Sequence, residues 1–423
     1  MPFMMMKMNK QISLFIGIIG LLSFTSSIAQ TNRLTGSPYS LFGLGIETGS
    51  NVGKNAALGR AGYALYGQDF INLENPASFG TQSKNRFIFD IGFLGELSSL
   101  ENANTEENRL ASNFSSLAFL ASVDEHSSFG LSLSPYSDVG YSLVGIESNV
   151  EGSFDQFVSN IFGTGALNGL TLSYGRSFWN RIRLGAKVTY LFGSIEETEA
   201  VFAGISGLTV VEESSYRGLQ LGLGLQTDIA SYLSYGFTVN FPTELSGNQD
   251  RIVQKTLDLV QSPVESETDI DLDPFDLPFE INNGILVKPW QQLSLNLDYS
   301  LKFWEATGQT DNVGDFINQS VFSGGAEFIA NSEGFKYFQR VQLRAGMFYD
   351  TGYLSIRGED ISSMGFSFGI GFPLSRRTGS RINLSYTNIA RGSTNGILVD
   401  ENINSVNLNI TLKDIWFLKR KID

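Results

Sequence analysis

Apolar and polar residues alternate one for one in fourteen stretches of this chain, and this alternation predicts β-strands. Successive side chains of a strand point to opposite faces, so each such stretch has one apolar and one polar face. No stretch after residue 24 is apolar enough for a membrane helix. The fold class is therefore predicted as all-β, a transmembrane antiparallel β-barrel with its apolar face outward and its polar face inward. The clearest apolar register consists of Leu293, Leu295, Leu297, Tyr299, Leu301 and Phe303.

The fourteen stretches predict about 14 strands, and the connections between them alternate in length. Short turns are predicted at residues 124–127, 179–180, 230–231 and 289–291, and long polar links at 96–112, 145–166, 197–212 and 245–278. Bacterial barrels have short periplasmic turns and longer outer loops, and an even strand number leaves both termini in the periplasm. The apolar registers that define the predicted strands begin at Phe87, Leu117, Phe129, Leu170, Leu184, Leu219, Tyr235, Ile281, Leu293, Val321, Val341, Phe366, Ile382 and Val406.

Residues 1–29 have the pattern of a signal peptide. Lys7 and Lys10 precede an apolar run from Ile12 to Phe24, and Ser27-Ile28-Ala29 is a small-x-small cleavage site. An uncleaved anchor helix is the alternative, but the run is shorter than the roughly 20 residues that span a bilayer. We therefore expect an exported protein located in the outer membrane of a Gram-negative type envelope, and a barrel formed by residues 86–423.

Residues 30–85 do not alternate, yet they are neither low in complexity nor strongly charged. Small residues recur between Asn55 and Leu65, and a turn-rich passage from Asn72 to Ser78 leads into the first strand. We interpret this region as an N-terminal plug, or hatch, inside the lumen. A flexible periplasmic arm is the alternative, although disordered arms usually carry more charge and fewer Leu, Phe and Tyr.

Composition and charge exclude several classes of function. The net charge of -14 argues against nucleic acid as a partner, and the 0 cysteines exclude disulfides and thiol chemistry. The single histidine, His126, lies in a predicted short turn, where it has no partner for nucleophilic catalysis. Pro274 replaces the glycine that a calcium loop would need after Asp269, Asp271 and Asp273. We therefore predict no enzymatic activity, no cofactor and no metal site.

Several short motifs make the chain resemble the FadL-type outer-membrane transport proteins. Gly59-Arg60-Ala61-Gly62 and Asn75-Pro76-Ala77 resemble the hatch motifs of that family. Leu277-Pro278-Phe279 and the stretch ending at Trp304 resemble its central Leu-Pro opening and the following strand, except that Glu305 replaces a serine. Gly334-Phe335-Lys336 resembles its later turn. The hatch residues implied by the resemblance are Gly59, Arg60, Asn75, Pro76 and Ala77.

The resemblance implies passive uptake of a hydrophobic small molecule, a long-chain fatty acid or an aromatic hydrocarbon, through a plugged barrel with lateral release. A hydrophobic molecule crosses the hydrated lipopolysaccharide layer poorly, so a protein path into the outer-membrane lipid needs no energy source. The predicted lumen, however, carries many charges on the polar register, namely Asp90, Arg183, Lys187, Asp298, Lys302, Arg344 and Asp350. These charges either pair with one another and with the plug or bind the head group of a ligand. The candidate ligand-binding residues are Arg183, Arg344 and Lys187, since a basic residue beside an apolar pocket would bind a carboxylate.

Pro135 interrupts the third predicted strand. Proline cannot donate a ladder hydrogen bond, so it must lie at a bulge, a bend or an open edge. In FadL-type barrels the third strand kinks inward and leaves a side opening. The resemblance therefore implies a lateral-exit kink at Pro135, with Gly130 and Gly140 beside it.

A second function of a different class remains open. Some FadL-like barrels are thought to act as non-transporting subunits of an outer-membrane protein secretion or surface-assembly complex. An apolar pocket in the lumen would favour transport, whereas a fully packed, charge-paired lumen would favour a role as a protein partner.

Overall fold

The computed structural model describes residues 35–415, except 49–52, 83, 103–104, 150–155, 180, 205, 258–259, 311–313, 376–378 and 397. The predicted signal peptide, residues 1–29, lies outside the described residues. The strands are β1 (Ile46–Glu47), β2 (Arg86–Glu101), β3 (Glu106–Ser122), β4 (Ser127–Asn149), β5 (Gln156–Phe178), β6 (Ile182–Ala203), β7 (Ser206–Ala230), β8 (Leu233–Asn240), β9 (Thr243–Leu257), β10 (Val260–Leu277), β11 (Glu280–Trp290), β12 (Leu293–Lys302), β13 (Gly314–Phe316), β14 (Gln319–Ile329), β15 (Gln342–Asp350), β16 (Leu354–Ile356), β17 (Glu359–Asp360), β18 (Ser363–Pro373), β19 (Arg381–Arg391) and β20 (Asp400–Ile415).

Fourteen of these strands form a closed antiparallel barrel, as the alternation predicts. Each strand pairs with its neighbour in the order β2, β3, β4, β5, β6, β7, β8, β11, β12, β14, β15, β18, β19 and β20. The ring closes where β20 pairs with β2, with Arg86 opposite Ile415. Each wall strand contains one of the fourteen predicted apolar registers.

The burial pattern shows that the apolar side of the wall faces outward. Phe368 is 60% exposed and its neighbour Ser367 is 1% exposed; Leu297 is 60% exposed and its neighbour Asn296 is 1% exposed. This arrangement is the reverse of a soluble sandwich and is the one expected for a barrel in lipid.

The two ends of the barrel differ. One end carries tight connections, such as those between β3 and β4 and between β11 and β12, and we call it the short-turn end. At the other, long-hairpin end, the predicted long links are themselves strands: β4 with β5 and β6 with β7 continue far beyond the core of the wall. The β9–β10 hairpin pairs with the far half of β7, while β8 pairs with the near half. Arg86 and Ile415 both lie at the short-turn end.

The remaining elements are small. β13, β16 and β17 form a three-stranded sheet in the connections at the long-hairpin end, and β1 adds to β4. Five 3-10 turns cover Pro38–Leu41, Asn55–Leu58, Pro76–Thr81, Trp304–Thr307 and Tyr337–Arg340. None of the helices in the described part of the chain is long and apolar enough to cross a membrane.

The lumen as the candidate functional site

Residues 35–85, called the N-terminal segment below, lie against the inward face of the barrel wall. Asn75 shows how local sequence and wall contact combine. Its side-chain oxygen accepts a hydrogen bond from Ala77 N (3.0 Å) and so caps the 3-10 turn that begins with Pro76. Its Nδ2 donates to Tyr63 O (2.8 Å) and to Leu225 O of β7 (3.1 Å). Asn75 therefore joins two parts of the N-terminal segment to each other and also joins the segment to the wall.

Gly59 and Arg60 form a second wall contact. Both have left-handed backbone conformations, with φ of 62° and 67°. A Cβ on Gly59 would lie 2.4 Å from Met347 N and O, so the close approach to β15 requires glycine. The Arg60 guanidinium stacks over the Phe348 ring at 3.8 Å and lies 4.0 Å from Asp350 Oδ2. The predicted hatch motif thus forms a close contact with the wall.

A row of inward-facing glycines accommodates the N-terminal segment, and the sequence analysis missed it. Gly175, Gly185 and Gly224 are directly paired on β5, β6 and β7. A Cβ at any of them would come within 2.4 Å of the backbone or side chain of residues 75–76. The row continues around the wall with Gly236, Gly284, Gly325, Gly346 and Gly369, which face residues 57–64. The available signal was glycine recurring on the polar register of successive strands.

An apolar cap fills the lumen at the long-hairpin end. Trp304 stacks on Phe316 (5.4 Å between centroids) and on Tyr353 (5.3 Å), and Phe275 meets the Trp304 ring edge-on at 6.3 Å. The apolar space that remains beside these rings is about 10 Å³. The cap consists of Leu44, Leu167, Leu191, Leu245, Leu277, Trp304 and Phe316, with Tyr136, Ile195, Tyr216, Phe275 and Tyr353 packed against them.

Tyr39 links the N-terminal segment to the connections at the long-hairpin end. Its hydroxyl donates to Val399 O at 2.6 Å and accepts from Val399 N at 3.0 Å. Burial raises the pKa of Tyr39 to about 12, so the phenol stays neutral at physiological pH. The ring belongs to a second apolar cluster with Phe42, Leu354, Ile356, Ile361 and Leu398.

Two of the three predicted ligand-binding residues are held by carboxylates of the protein itself. Arg183 donates two hydrogen bonds of 2.8 Å to Asp228 and stacks over the Tyr66 ring at 3.8 Å. Arg344 Nε donates to Glu327 Oε2 at 2.7 Å. These guanidiniums lie on different sides of the lumen, on β6 and β15, and do not converge on one site.

Several other lumen charges are also paired, whereas Lys187 has no ion pair among the described residues. Lys54 of the N-terminal segment lies 3.2 Å from Glu327, and Lys302 pairs with Glu47 and lies 3.6 Å from Glu280. Lys413 lies 2.7 Å from Asp69, and Arg391 lies 3.2 Å from Glu401. Asp298 accepts hydrogen bonds from Gly62 N (2.6 Å) and Tyr63 N (3.0 Å). The contacts of Lys54, Glu47, Asp69 and Asp298 join the wall to the N-terminal segment. The pairs Arg391–Glu401 and Lys302–Glu280 join neighbouring strands of the wall.

A side gap lies between β3 and β4. Their pairing extends only from Ser122 opposite Ser128 to Leu117 opposite Leu133, and within the described residues β3 beyond Leu117 has no partner on β4. Pro135 follows directly, at a register shift between β4 and β5, and the edge of β4 beyond it pairs with β1. Gly130 and Gly140 lie on either side of the break, where added Cβ atoms would meet Phe79 (2.3 Å) and Thr35 O (2.0 Å). These two glycines face the N-terminal segment.

The side gap leads into a polar cavity of about 210 Å³, which we call the side cavity. Its mouth includes Leu94, Phe114 and Pro135, and its interior includes Lys187, the third predicted ligand-binding residue. A smaller cavity of about 110 Å³ lies between the N-terminal segment and the opposite wall, lined in part by Arg60, Asp350 and Arg391. Both cavities have charged walls.

His126 lies exposed in the turn between β3 and β4. Its backbone N–H donates to Asp124 Oδ1 at 2.7 Å, and this hydrogen bond lowers the pKa of the Asp124 carboxyl. The ring Nδ1 lies 3.4 Å from Ser177 Oγ, which is also at the surface. The residues described here contain no cluster of three metal-ligating side chains.

The closed 14-stranded wall, the inward-packed N-terminal segment and the broken β3–β4 pairing define a FadL-like barrel. The toluene transporter TodX of Pseudomonas putida is 14% identical over 88% of this chain and 99% of that one, with a TM-score of 0.62. For the toluene transporter TbuX of Ralstonia pickettii the identity is 16%, over 86% and 98%, with a TM-score of 0.61. A FadL homologue of Pseudomonas aeruginosa is 12% identical, over 87% and 98%, with a TM-score of 0.56.

The chain belongs to the BamG family, whose model matches residues 8–423. No curated protein has a significant sequence match. The resemblance to FadL-type proteins is confirmed as a resemblance of fold, since identities of this size carry no information about the ligand.

Proposed function

We propose that this protein is a non-transporting, FadL-like barrel subunit of an outer-membrane protein secretion or surface-assembly complex. The observation that carries the proposal is the apolar cap. A preformed apolar cavity that takes up benzene has a volume of roughly 150 Å³, whereas the apolar space left beside Trp304 and Phe316 is about 10 Å³. A hydrophobic molecule entering from the long-hairpin end therefore meets packed side chains.

The lumen charges support the same proposal. A transporter of fatty acids needs a basic group that is available to a carboxylate beside an apolar pocket, but Arg183 and Arg344 already donate to Asp228 and Glu327. Lys187 has no ion pair among the described residues, but the cavity that it faces is polar and is lined by four carboxylates. Breaking such buried pairs costs several kcal/mol, by an order-of-magnitude estimate of about 3–5. Arg183 also stacks over Tyr66, and Glu327 also pairs with Lys54, so we infer that these pairs help to hold the N-terminal segment as a permanent plug. Membership of the BamG family is compatible with this role.

The experiment compares a deletion strain with strains expressing the wild type or a cap variant. Uptake of labelled oleate and labelled toluene is measured beside the surface abundance of other outer-membrane proteins, using surface labelling and mass spectrometry. We expect deletion to reduce surface proteins without changing uptake. The double variant Trp304→Ala and Phe316→Ala should restore surface proteins while increasing toluene entry. If deletion abolishes uptake and leaves surface proteins unchanged, the assembly role is refuted.

Transport of a hydrophobic small molecule is the second candidate, and the side gap favours it. An opening beside Pro135 would let a ligand pass from the lumen into lipid. Pro135→Val restores a backbone donor and favours regular pairing, so it should lower uptake if the gap is the exit. The folded fraction is followed by heat-modifiable gel mobility. Full uptake in this variant would place the exit elsewhere.

Location and orientation follow the same proposal. We place the protein in the outer membrane with its short-turn end and both termini in the periplasm, and with the long hairpins facing outward among lipopolysaccharide.

A further inference from the structure

Several buried polar atoms around the side cavity lack a hydrogen-bond partner among the described residues. They belong to seven side chains that line the cavity. Gln220, Asn240 and Asn282 are 6%, 8% and 2% exposed, so these groups are cut off from bulk water. An unsatisfied buried polar atom costs about 1–3 kcal/mol, so a small rotation of these side chains toward a polar group in the cavity would be favourable. The seven atoms are Glu47 Oε1, Ser115 Oγ, Tyr136 OH, Asp138 Oδ1, Gln220 Nε2, Asn240 Oδ1 and Asn282 Oδ1.

The charge of the cavity favours a ligand that carries a cation. Four carboxylates line it, from Glu47, Glu74, Asp138 and Glu280, against two lysines. Lys302 is held by Glu47 and Glu280, whereas Lys187 has no ion pair within 4.0 Å among the described residues. The cavity thus offers one unpaired cation within an excess of negative charge.

Counting strands from the side gap around the wall, side chains that can donate hydrogen bonds come before side chains that can accept them. The first of these side chains are Lys187 on β6 and Gln220 on the neighbouring strand β7. Gln220 pairs with Thr189, which is two residues from Lys187 on β6. Asn240 on β8 and Asn282 on β11 come next, with free carbonyl oxygens, beside Glu280 opposite Asn240. A ligand entering by the gap would therefore meet an anion-binding pair and then a set of acceptors.

We propose that the side cavity binds the phosphoethanolamine head group of a membrane lipid that enters by the β3–β4 gap. The phosphate lies at Lys187 and Gln220, and the ammonium donates its protons to Asn240, Asn282 and Glu280. About 210 Å³ accommodates the head group but not two acyl chains, which remain outside along Leu94 and Phe114 at the mouth. This inference does not depend on the proposed function, because a bound lipid is compatible with either role.

The experiment is native mass spectrometry of the full-length protein in detergent, titrated with dioleoyl phosphatidylethanolamine, phosphatidylcholine or phosphatidylglycerol. Phosphatidylethanolamine should bind at least tenfold more tightly than the other two, because choline has no N–H donors and glycerol has no cation. Lys187→Met and Gln220→Leu should each lower this affinity tenfold or more, and Ser134→Phe should block entry. Lys255→Met, on the exposed part of β9, is the matched control and should bind as the wild type does.

Heat-modifiable mobility selects folded variants before the titration, and Gln220→Leu retains the charge of the cavity. A photo-reactive residue at Phe114 should crosslink the lipid, whereas one at Leu297, on the far wall, should not. Equal binding of phosphatidylglycerol, binding that is unchanged in both Lys187→Met and Gln220→Leu, or a cavity that holds water only would overturn the proposal.

Discussion

At the scale of single residues, glycines and charges on the polar face decide what fills this barrel. Gly175, Gly185 and Gly224 leave room for residues 75–76, and carboxylates such as Glu327 hold the N-terminal segment by its basic side chains. In both cases a residue of the wall contacts a residue of the N-terminal segment that is far away in sequence. Two substitutions test this arrangement.

Gly185→Val should destabilise the packing of the N-terminal segment. A Cβ at this position would lie 2.3 Å from Pro76 C and 2.4 Å from Ala77 N, so backbone must shift. Overpacking of this kind costs about 1–3 kcal/mol. The urea midpoint in detergent should fall relative to Gly95→Val, because Gly95 has open space at its Cβ. Equal urea midpoints for the two variants would mean that the N-terminal segment does not pack closely against the wall at Gly185.

Glu327→Gln should be more damaging than its conservative chemistry suggests. The variant retains the shape of the side chain but leaves Arg344 and Lys54 without the carboxylate that they share at 2.7 and 3.2 Å. Removing one partner of a buried pair costs about 3–5 kcal/mol. The thermal transition should shift strongly downward, whereas Glu359→Gln, at an exposed position of β17, should leave it unchanged. A shift no larger than that of the control would contradict the pairing.

At the scale of elements, the wall and its hairpins are separable. β8 pairs with both β7 and β11, so the ring closes without the β9–β10 hairpin. The hairpin is largely exposed, and its strand β10 carries several acidic side chains. Its base, by contrast, contributes Leu245 and Phe275 to the apolar cap. We therefore expect the outer part of the hairpin to be dispensable for folding and the base to contribute to stability.

Replacing Gln249–Ile270 by an Asn-Gly turn should leave a folded barrel. Asn248 and Asp271 are direct partners across the hairpin, so a two-residue connection closes the shortened strands. Heat-modifiable mobility should match the wild type within error. Extending the deletion to residues 244–276 removes two cap residues and should lower the thermal transition. Loss of folding in the shorter deletion would show that the far half of β7 depends on β9.

At the scale of the whole molecule, the barrel has one open side and two different ends. The wall is closed by β2 and β20, both ends of the wall sequence lie at the short-turn end, and the apolar cap closes the lumen at the other end. Access to the interior is therefore expected through the side gap rather than through the long-hairpin end.

Single cysteines test the orientation of the barrel, and the chain contains 0 native cysteines. Cysteine at Glu265 or Asp271, on the exposed β10, should react with an impermeant maleimide on intact cells. Cysteine at Glu125 or His126, in the exposed β3–β4 turn, should react only after the outer membrane is permeabilised. Labelling of the second pair on intact cells would reverse the proposed orientation.

The sequence by itself determined the wall. Alternation with a period of two is a local property of each strand, so it predicted the number of wall strands and which face is apolar. Asn75-Pro76 and Gly59-Arg60 were singled out by their resemblance to hatch motifs, and in the structure they lie at a capped 3-10 turn and in left-handed backbone conformations. The polar register correctly placed Arg183, Lys187 and Arg344 inside the barrel.

Only the tertiary structure decided what the inward face does. Alternation predicts that a side chain points inward, but it does not predict which residues the side chain contacts. Those contacts depend on the stagger of the strands and on the path of the N-terminal segment. Arg183 meets Asp228, Arg344 meets Glu327, and Lys187 alone of the three has no ion pair among the described residues. The cap likewise brings together Leu44, Trp304 and Phe316 from distant connections. These contacts are non-local. They determine whether a barrel with this alternating wall pattern has a packed lumen or an open channel.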